Sequence, residues 1–340
     1  MTDFLLLATD LLTKQISEPA QIEPAPEIYE LNNAAPSRES MLASIAAPSE
    51  GPPEPMLPPL REASRYLPPM PEEQSRKLGS SNSSSGQISN PILHMRIAAK
   101  PVSGPQLYSQ RLAALGVGRV YTHLPAHSFW SHWTSATEQP SYQEWKSLLA
   151  REARAIALGQ GSNKLGVLLG DSISMWFPSE GLPKDRLWLN QGISGDTTAG
   201  ILARLGAISQ TRPDIIYVMA GVNDLRRGKS DRHVLTNLRS IMRQLRQQHP
   251  QARIAVQSIL PTRLASIPNS RVRHLNQQIA AIAGQEGAFY LDIHSWFANP
   301  EGQLRQDLTT DGLHLNPQGY SVWRWALMRA ESWMALNPTI

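Results

Sequence analysis

Hydrophobic positions take on helical spacing shortly after residue 106 and alternate between two periods from residue 164 onward. In "SYQEWKSLLAREARAIALG", Trp145, Leu148, Leu149 and Ile156 fall on one helical face. Ser141 and Glu144 have capping-box spacing, and Gly159 marks the stop. Beyond Lys164, short apolar runs at 165–169, 187–189, 215–219, 254–259 and 289–293 suit buried strands. Helical stripes separate them: Ile201, Leu202, Leu205 and Ile208; then Val234, Leu238, Ile241, Met242 and Leu245; then Val272, Leu275, Ile279 and Ile282, with Gly284 as C-cap. The last helix opens on Asn316 as N-cap and Pro317 at its first position, and turns Val322, Trp323, Leu327 and Trp333 inward. The first two strands are joined by a segment broken by Pro178 and Pro183, with room for little more than one helical turn. Five strands alternating with helices predict an α/β fold with a parallel sheet covered on both faces.

Composition divides the chain before that pattern begins. Of the 27 Pro, 13 lie within residues 1–90, beside the run "GSSNSSSG". Those 90 residues carry 12 acidic and 6 basic side chains, a net charge of −6; the remainder carries 16 and 26, a net charge of +10. Such a segment lacks the apolar surface to offset chain entropy, so residues 1–104 are expected to be a disordered, acidic tail. Residues 105–160 are expected to form a helical lead-in packed on a domain at 161–340. The basic residues of the remainder are spread over several helices, and no nucleic-acid motif accompanies them. No specific nucleic-acid partner is expected. Cysteine is absent, which removes thiolate nucleophiles and Cys-ligated zinc. The N-terminal "MTDFLLLATDLL" has acidic residues where a secretory signal wants basic ones, and no run is long enough to span a bilayer. The default expectation is a cytoplasmic protein.

Candidate chemistry sits where the strands end. In an open parallel sheet, functional groups gather beyond the carboxyl ends of the strands. The first run delivers Gly170-Asp171-Ser172, the second "NQGISGDTT", and the third "AGVNDL"; some way beyond the fifth comes "TTDGLHLNPQGY". A serine hydroxyl needs a base, which His314 supplies; the imidazole needs a partner for its other nitrogen, which Asp311 supplies. The backbone N–H groups of Ser172 and Gly195 and the side-chain amide of Asn223 are the candidate oxyanion donors. Each motif alone is common in ordinary turns; together, in this order, they form the parts list of acyl transfer. Neither a metal nor a cofactor is required. His123, His127 and His132 invite a metal reading, but Pro125 interrupts any helix that would align them and no carboxylate lies nearby, so packing and surface roles are favoured. Asp292 and His294 are read as structural, since strand neighbours at i and i+2 sit too far apart for a close hydrogen bond. Position 174 is Ser, so the G-x-S-x-G elbow is absent.

The four blocks "GDSIS", "GISGDT", "GVND" and "DGLH" closely resemble those of the SGNH (GDSL-type) esterase/lipase family. The resemblance covers residue 164 to about residue 333. It implies a three-layer α/β/α sandwich with flavodoxin-like strand order 2-1-3-4-5. It further implies Ser172 as nucleophile, Asp311 and His314 as its triad partners, and Gly195 and Asn223 in the oxyanion hole. Two departures, Ile173 for Leu and Val222 for Gly, remove no catalytic atom. The expected function is a serine hydrolase of small-molecule carboxylic esters, short acyl or acetyl groups being favoured by the short loop after Ser172. The alternative is a protein that recruits partners through its Pro-rich tail, with a vestigial hydrolase domain.

Overall fold

A computed structural model describes residues 100–336. The expected disordered tail lies, up to residue 99, outside the described residues. Strands β1 (Leu165–Gly170), β2 (Leu187–Gly192), β3 (Ile215–Met219), β4 (Arg253–Gln257) and β5 (Phe289–Leu291) form one sheet in the order β2-β1-β3-β4-β5. All four pairings are parallel. Gly170, the last residue of β1, lies in register with Gly192 of β2 and Met219 of β3, so three strand ends share one edge. Class, topology and strand order match the expectation. β4 and β5 stop two residues short of the apolar runs that predicted them.

Alternate side chains of each strand enter separate cores, as the two-residue strand period requires. Leu165, Val167 and Leu169 of β1 join Ile216, Val218, Ile254 and Val256 on one face. There they meet α6 (Asp231–Gln248) through Leu238 and Ile241, and α7 (Asn269–Gln285) through Leu275 and Ile279. On the other face Leu168, Trp188, Tyr217 and Ala255 meet α8 (Pro317–Leu336) through Val322, Trp323, Ala326 and Leu327. Asn316 caps α8 as predicted, its side chain accepting from the Gly319 N–H at 2.9 Å. Gly284 proves not to be the cap of α7: it lies inside the last turn, and the left-handed residue after the helix is Gly287 (φ 65°).

The helices preceding β1 build a third apolar cluster. α1 (Gly104–Gly116) contributes Leu107, Ala114 and Leu115, and α2 (Tyr142–Gly159) contributes Trp145, Leu148 and Leu149. These pack on Met175 and Ile193, which follow β1 and β2 closely in sequence. The capping box of α2 forms as expected from Ser141 and Glu144. At the centre Arg111, fully buried, forks onto Glu152 (Nε–Oε1 3.0 Å, Nη2–Oε2 2.6 Å) and donates to the Asn190 carbonyl of β2 at 2.8 Å. One guanidinium thus joins α1, α2 and the sheet. His123 is used here as an acceptor, its Nε2 taking the Trp188 N–H at 3.1 Å.

Removing one partner of this pair strands a charge in the core, which typically costs about 3–5 kcal/mol, whereas an apolar pair of similar volume is far better tolerated. Arg111→Ala and Glu152→Ala are each expected to lower unfolding stability by about 3–5 kcal/mol. The double variant Arg111→Met/Glu152→Leu is expected to recover most of it, as read from urea denaturation midpoints.

Candidate active site

The turn after β1 is pressed against its neighbours. Asp171 caps the single-turn helix α3 (Ser172–Met175), accepting the Ile173 N–H on Oδ1 at 2.9 Å. Ser172 is its first residue. A Cβ on Gly170 would fall 2.5 Å from the Met219 carbonyl oxygen, and one on Gly192 would fall 2.3 Å from the Met175 nitrogen. Both glycines are therefore required for α3 to sit directly on the sheet edge. Asn190 ties the turn down from β2, donating to the Ser174 carbonyl at 2.7 Å.

His314 reaches this turn from the loop before α8. Its Nε2 lies 3.1 Å from Ser172 Oγ, and its Nδ1 lies 2.6 Å from Asp311 Oδ2. The other oxygen of Asp311 accepts the backbone N–H groups of Leu313 (3.0 Å) and His314 (2.8 Å). The loop folds tightly because Gly312 adopts φ 85° and Thr309 Oγ1 donates to the His314 carbonyl at 2.7 Å. Partial burial pushes the Asp311 carboxyl upward, but the hydrogen bonds from the His314 ring and the two N–H groups outweigh it and leave the carboxyl below its ordinary range. Ser172 is buried and His314 half-buried, so the pair lies at the floor of an opening to solvent.

The loops after β2 and β3 meet beside Ser172. Gly195 adopts φ 76°, a left-handed conformation that favours glycine. Asn223 lies in α5 (Val222–Arg226), and its Nδ2 donates to the Asp196 carbonyl at 3.0 Å and to Asp171 Oδ2 at 3.3 Å. Its side-chain oxygen accepts from Arg226 at 3.2 Å. Charged side chains behind the loops hold them in place. Asp196 pairs with buried Arg204 (2.7 Å), which also donates to the Gly170 carbonyl. Asp224 takes both the N–H and the hydroxyl of Thr198, the first residue of α4 (Thr198–Ala203), at 2.9 and 2.6 Å. Asp196, Thr198 and Asp224 stand inside the quoted motifs and Arg204 outside them, none with an assigned role; only their contacts across the sheet edge reveal it. Asp292 lies beyond the end of β5 and His294 opens a helical turn, so they are not strand neighbours as the sequence suggested. Their contact runs from the His294 N–H to Asp292 Oδ1 at 3.2 Å, and burial together with Arg273 pushes the His294 imidazole down to about 4. Among the described residues, no three His, Asp or Glu side chains converge as a metal-ligating set.

Asp171 is buried completely, and burial pushes its carboxyl up to about 7. The Ile173 N–H and nearby His314 oppose that rise; Asp196 and Asp224 add to it. In the unfolded chain this carboxyl returns to the ordinary Asp value near 4. Between about pH 4 and pH 7 the folded state therefore holds a proton that the unfolded state releases, and stability falls as pH rises through that window. Asp171→Asn is expected to flatten this part of the profile, as measured by urea unfolding of both proteins from pH 4 to pH 8. An unchanged slope would contradict the assignment.

Comparison with known proteins bears on the family and the fold. Residues 163–322 match the model of the GDSL-like Lipase/Acylhydrolase family. The platelet-activating factor acetylhydrolase IB subunit alpha1 of Bos taurus is 33% identical over 137 residues, covering 39% of this chain and 58% of that protein. The Homo sapiens protein of the same name is 34% identical over 140 residues, with the same shares covered. The chain thus spans a little over half the length of these curated relatives. A structure from Streptococcus pneumonia, described as a candidate platelet activating factor, superposes with a TM-score of 0.51 at 24% identity, over 55% of this chain and 93% of that one; it supports the fold. Sheet order, block motifs and family match coincide on one segment: residues 163–322 are a domain of the GDSL-like lipase/acylhydrolase family.

Proposed function

We propose that this protein is a serine hydrolase of small-molecule carboxylic esters, working through Ser172, His314 and Asp311. The observation that carries the reading is the continuous chain from Ser172 Oγ to His314 Nε2 (3.1 Å) and from His314 Nδ1 to Asp311 Oδ2 (2.6 Å). In this reading, Ser172 Oγ attacks the ester carbonyl carbon as its proton passes to His314 Nε2. Asp311 fixes the imidazole tautomer and stabilises its positive charge. The tetrahedral oxyanion is met by the N–H groups of Ser172 and Gly195 and by the Asn223 amide, which turns one N–H from Asp171 to the oxyanion. The carbon–oxygen bond of the leaving group breaks, and the alcohol departs with the proton held by His314. Water then attacks the acyl-enzyme, giving its proton to His314; the carboxylic acid leaves and Ser172 regains its proton.

Two features favour acetyl and other short acyl groups. The segment after Ser172 is short and broken by Pro178 and Pro183, and the curated relatives are named acetylhydrolases. No helix among the described residues is long and apolar enough to cross a membrane.

Purified Ser172→Ala is expected to lose cleavage of acetyl esters, and retained turnover would overturn the proposal. Asn223→Ala is expected to lower kcat by ~10²–10³, since one donor of an oxyanion hole is typically worth that much, with a smaller change in KM. Steady-state kinetics on the two variants checks both.

A further inference from the structure

A cavity of about 650 Å³ opens beside His314, within the size range of ordinary small-molecule sites. Its walls are mainly apolar: Trp176, Phe177 and Pro178 from the segment after α3, Leu315 from the loop before α8, and Pro317 and Tyr320 from the start of α8. The floor is held rigidly. Phe177 packs edge-on to Tyr320 (centroids 5.9 Å apart) and to Trp323 (4.9 Å). The Tyr320 hydroxyl donates to the Ile173 carbonyl at 3.1 Å, which fixes the floor to the nucleophile turn itself. Lys100, Glu180 and Arg324 also line the cavity; they carry both signs of charge, so selection falls to the apolar walls.

The two halves of an ester leave a serine hydrolase by different routes, and the cavity borders only one of the groups that define them. His314 lines it; Gly195 and Asn223 do not. The oxyanion must point toward the latter pair, whereas the leaving oxygen must come within hydrogen-bond reach of His314 Nε2 to take its proton. We infer that this cavity receives the alcohol half of the ester, and that the alcohol is apolar, with an aromatic or alkyl body. The inference rests on the Ser172–His314 reading given above. It places the larger apolar part of the substrate on the leaving group, with the vacated cavity then admitting the water that attacks the acyl-enzyme.

Three esters separate the possibilities: methyl acetate, 2-naphthylmethyl acetate, which enlarges the alcohol at similar leaving-group acidity, and methyl 2-naphthylacetate, which enlarges the acyl group. The two filling variants come from different lining segments, Gly181→Leu after α3 and Ser321→Trp in α8. A Cβ on Gly181 would meet Phe177 at 3.4 Å and Arg324 at 3.6 Å, contacts that are accommodated by small shifts. Wild-type full chain is expected to prefer 2-naphthylmethyl acetate over methyl acetate in kcat/KM by at least about ten-fold, the scale of one well-filled apolar subsite. Each variant is expected to reduce that ratio by about ten-fold or more while leaving the ratio of methyl 2-naphthylacetate to methyl acetate in place. Ratios within one preparation cancel any loss of folded protein. Methyl acetate turnover with no preference for the larger alcohol overturns the subsite alone. So does a loss confined to the enlarged acyl ester, which would make the cavity the acyl site. Absence of all ester cleavage in wild-type protein removes the hydrolase reading, and the subsite with it.

Discussion

The site depends on one close approach: the Ser172 turn lies directly on the carboxyl edge of the sheet, closer than any side chain at positions 170 or 192 would allow. A parallel sheet brings the ends of β1, β2 and β3 to a common line, but does not by itself aim a hydroxyl. Without a Cβ, Gly170 leaves room for Ser174 of α3 and the Met219 carbonyl, and Gly192 leaves room for the Met175 backbone of α3; Asp171 and Asn190 then fix the turn by hydrogen bonds. Ser172 inherits its place from that packing. The loops after β2 and β3 follow, because Arg204 and Asp224 hold them to the same edge.

Polar burial around the site is dense and nearly every group has a partner. Asp171, Asp196, Asp224 and Asn223 are all buried, and each is hydrogen-bonded or ion-paired. In a low-dielectric setting such a network rigidifies what it connects, since breaking one bond leaves an unpaired buried group. The same setting raises the Asp171 carboxyl and links its charge to the Asn223 amide that it holds. By contrast Asp311 is half-exposed and relies on three donated hydrogen bonds to stay ionised. Two carboxyls within one site are thus shifted in opposite directions by their surroundings.

Much of this was legible in the sequence, for reasons that can be named. Buried parallel strands read as short continuous apolar runs, so all five were visible, and the motifs at their ends stood out as small polar clusters against that background. The capping box of α2 and the Asn316-Pro317 start of α8 are local signals that survive intact in the fold. What stayed hidden was long-range or fully enclosed. Arg111 and Glu152 are separated by 41 positions, and nothing in their local context marks either as buried. Nothing in the tripeptide Gly170-Asp171-Ser172 says whether Asp171 is enclosed; its burial comes from the packing of three strand ends. Gly284 was mistaken for the cap of α7 because one helical turn holds both it and Gly287, and only the backbone angle separates them.

Exposing the purified full chain to a fluorophosphonate, beside Ser172→Ala, tests the central claim most directly, because the probe reacts with a hydroxyl only when a base has activated it. Peptide mass spectrometry is expected to find a single adduct, on Ser172, absent from the variant. A folded protein that takes no adduct, or takes it equally in the variant, would contradict the account, since the 3.1 Å contact between Ser172 and His314 would then not amount to an activated nucleophile.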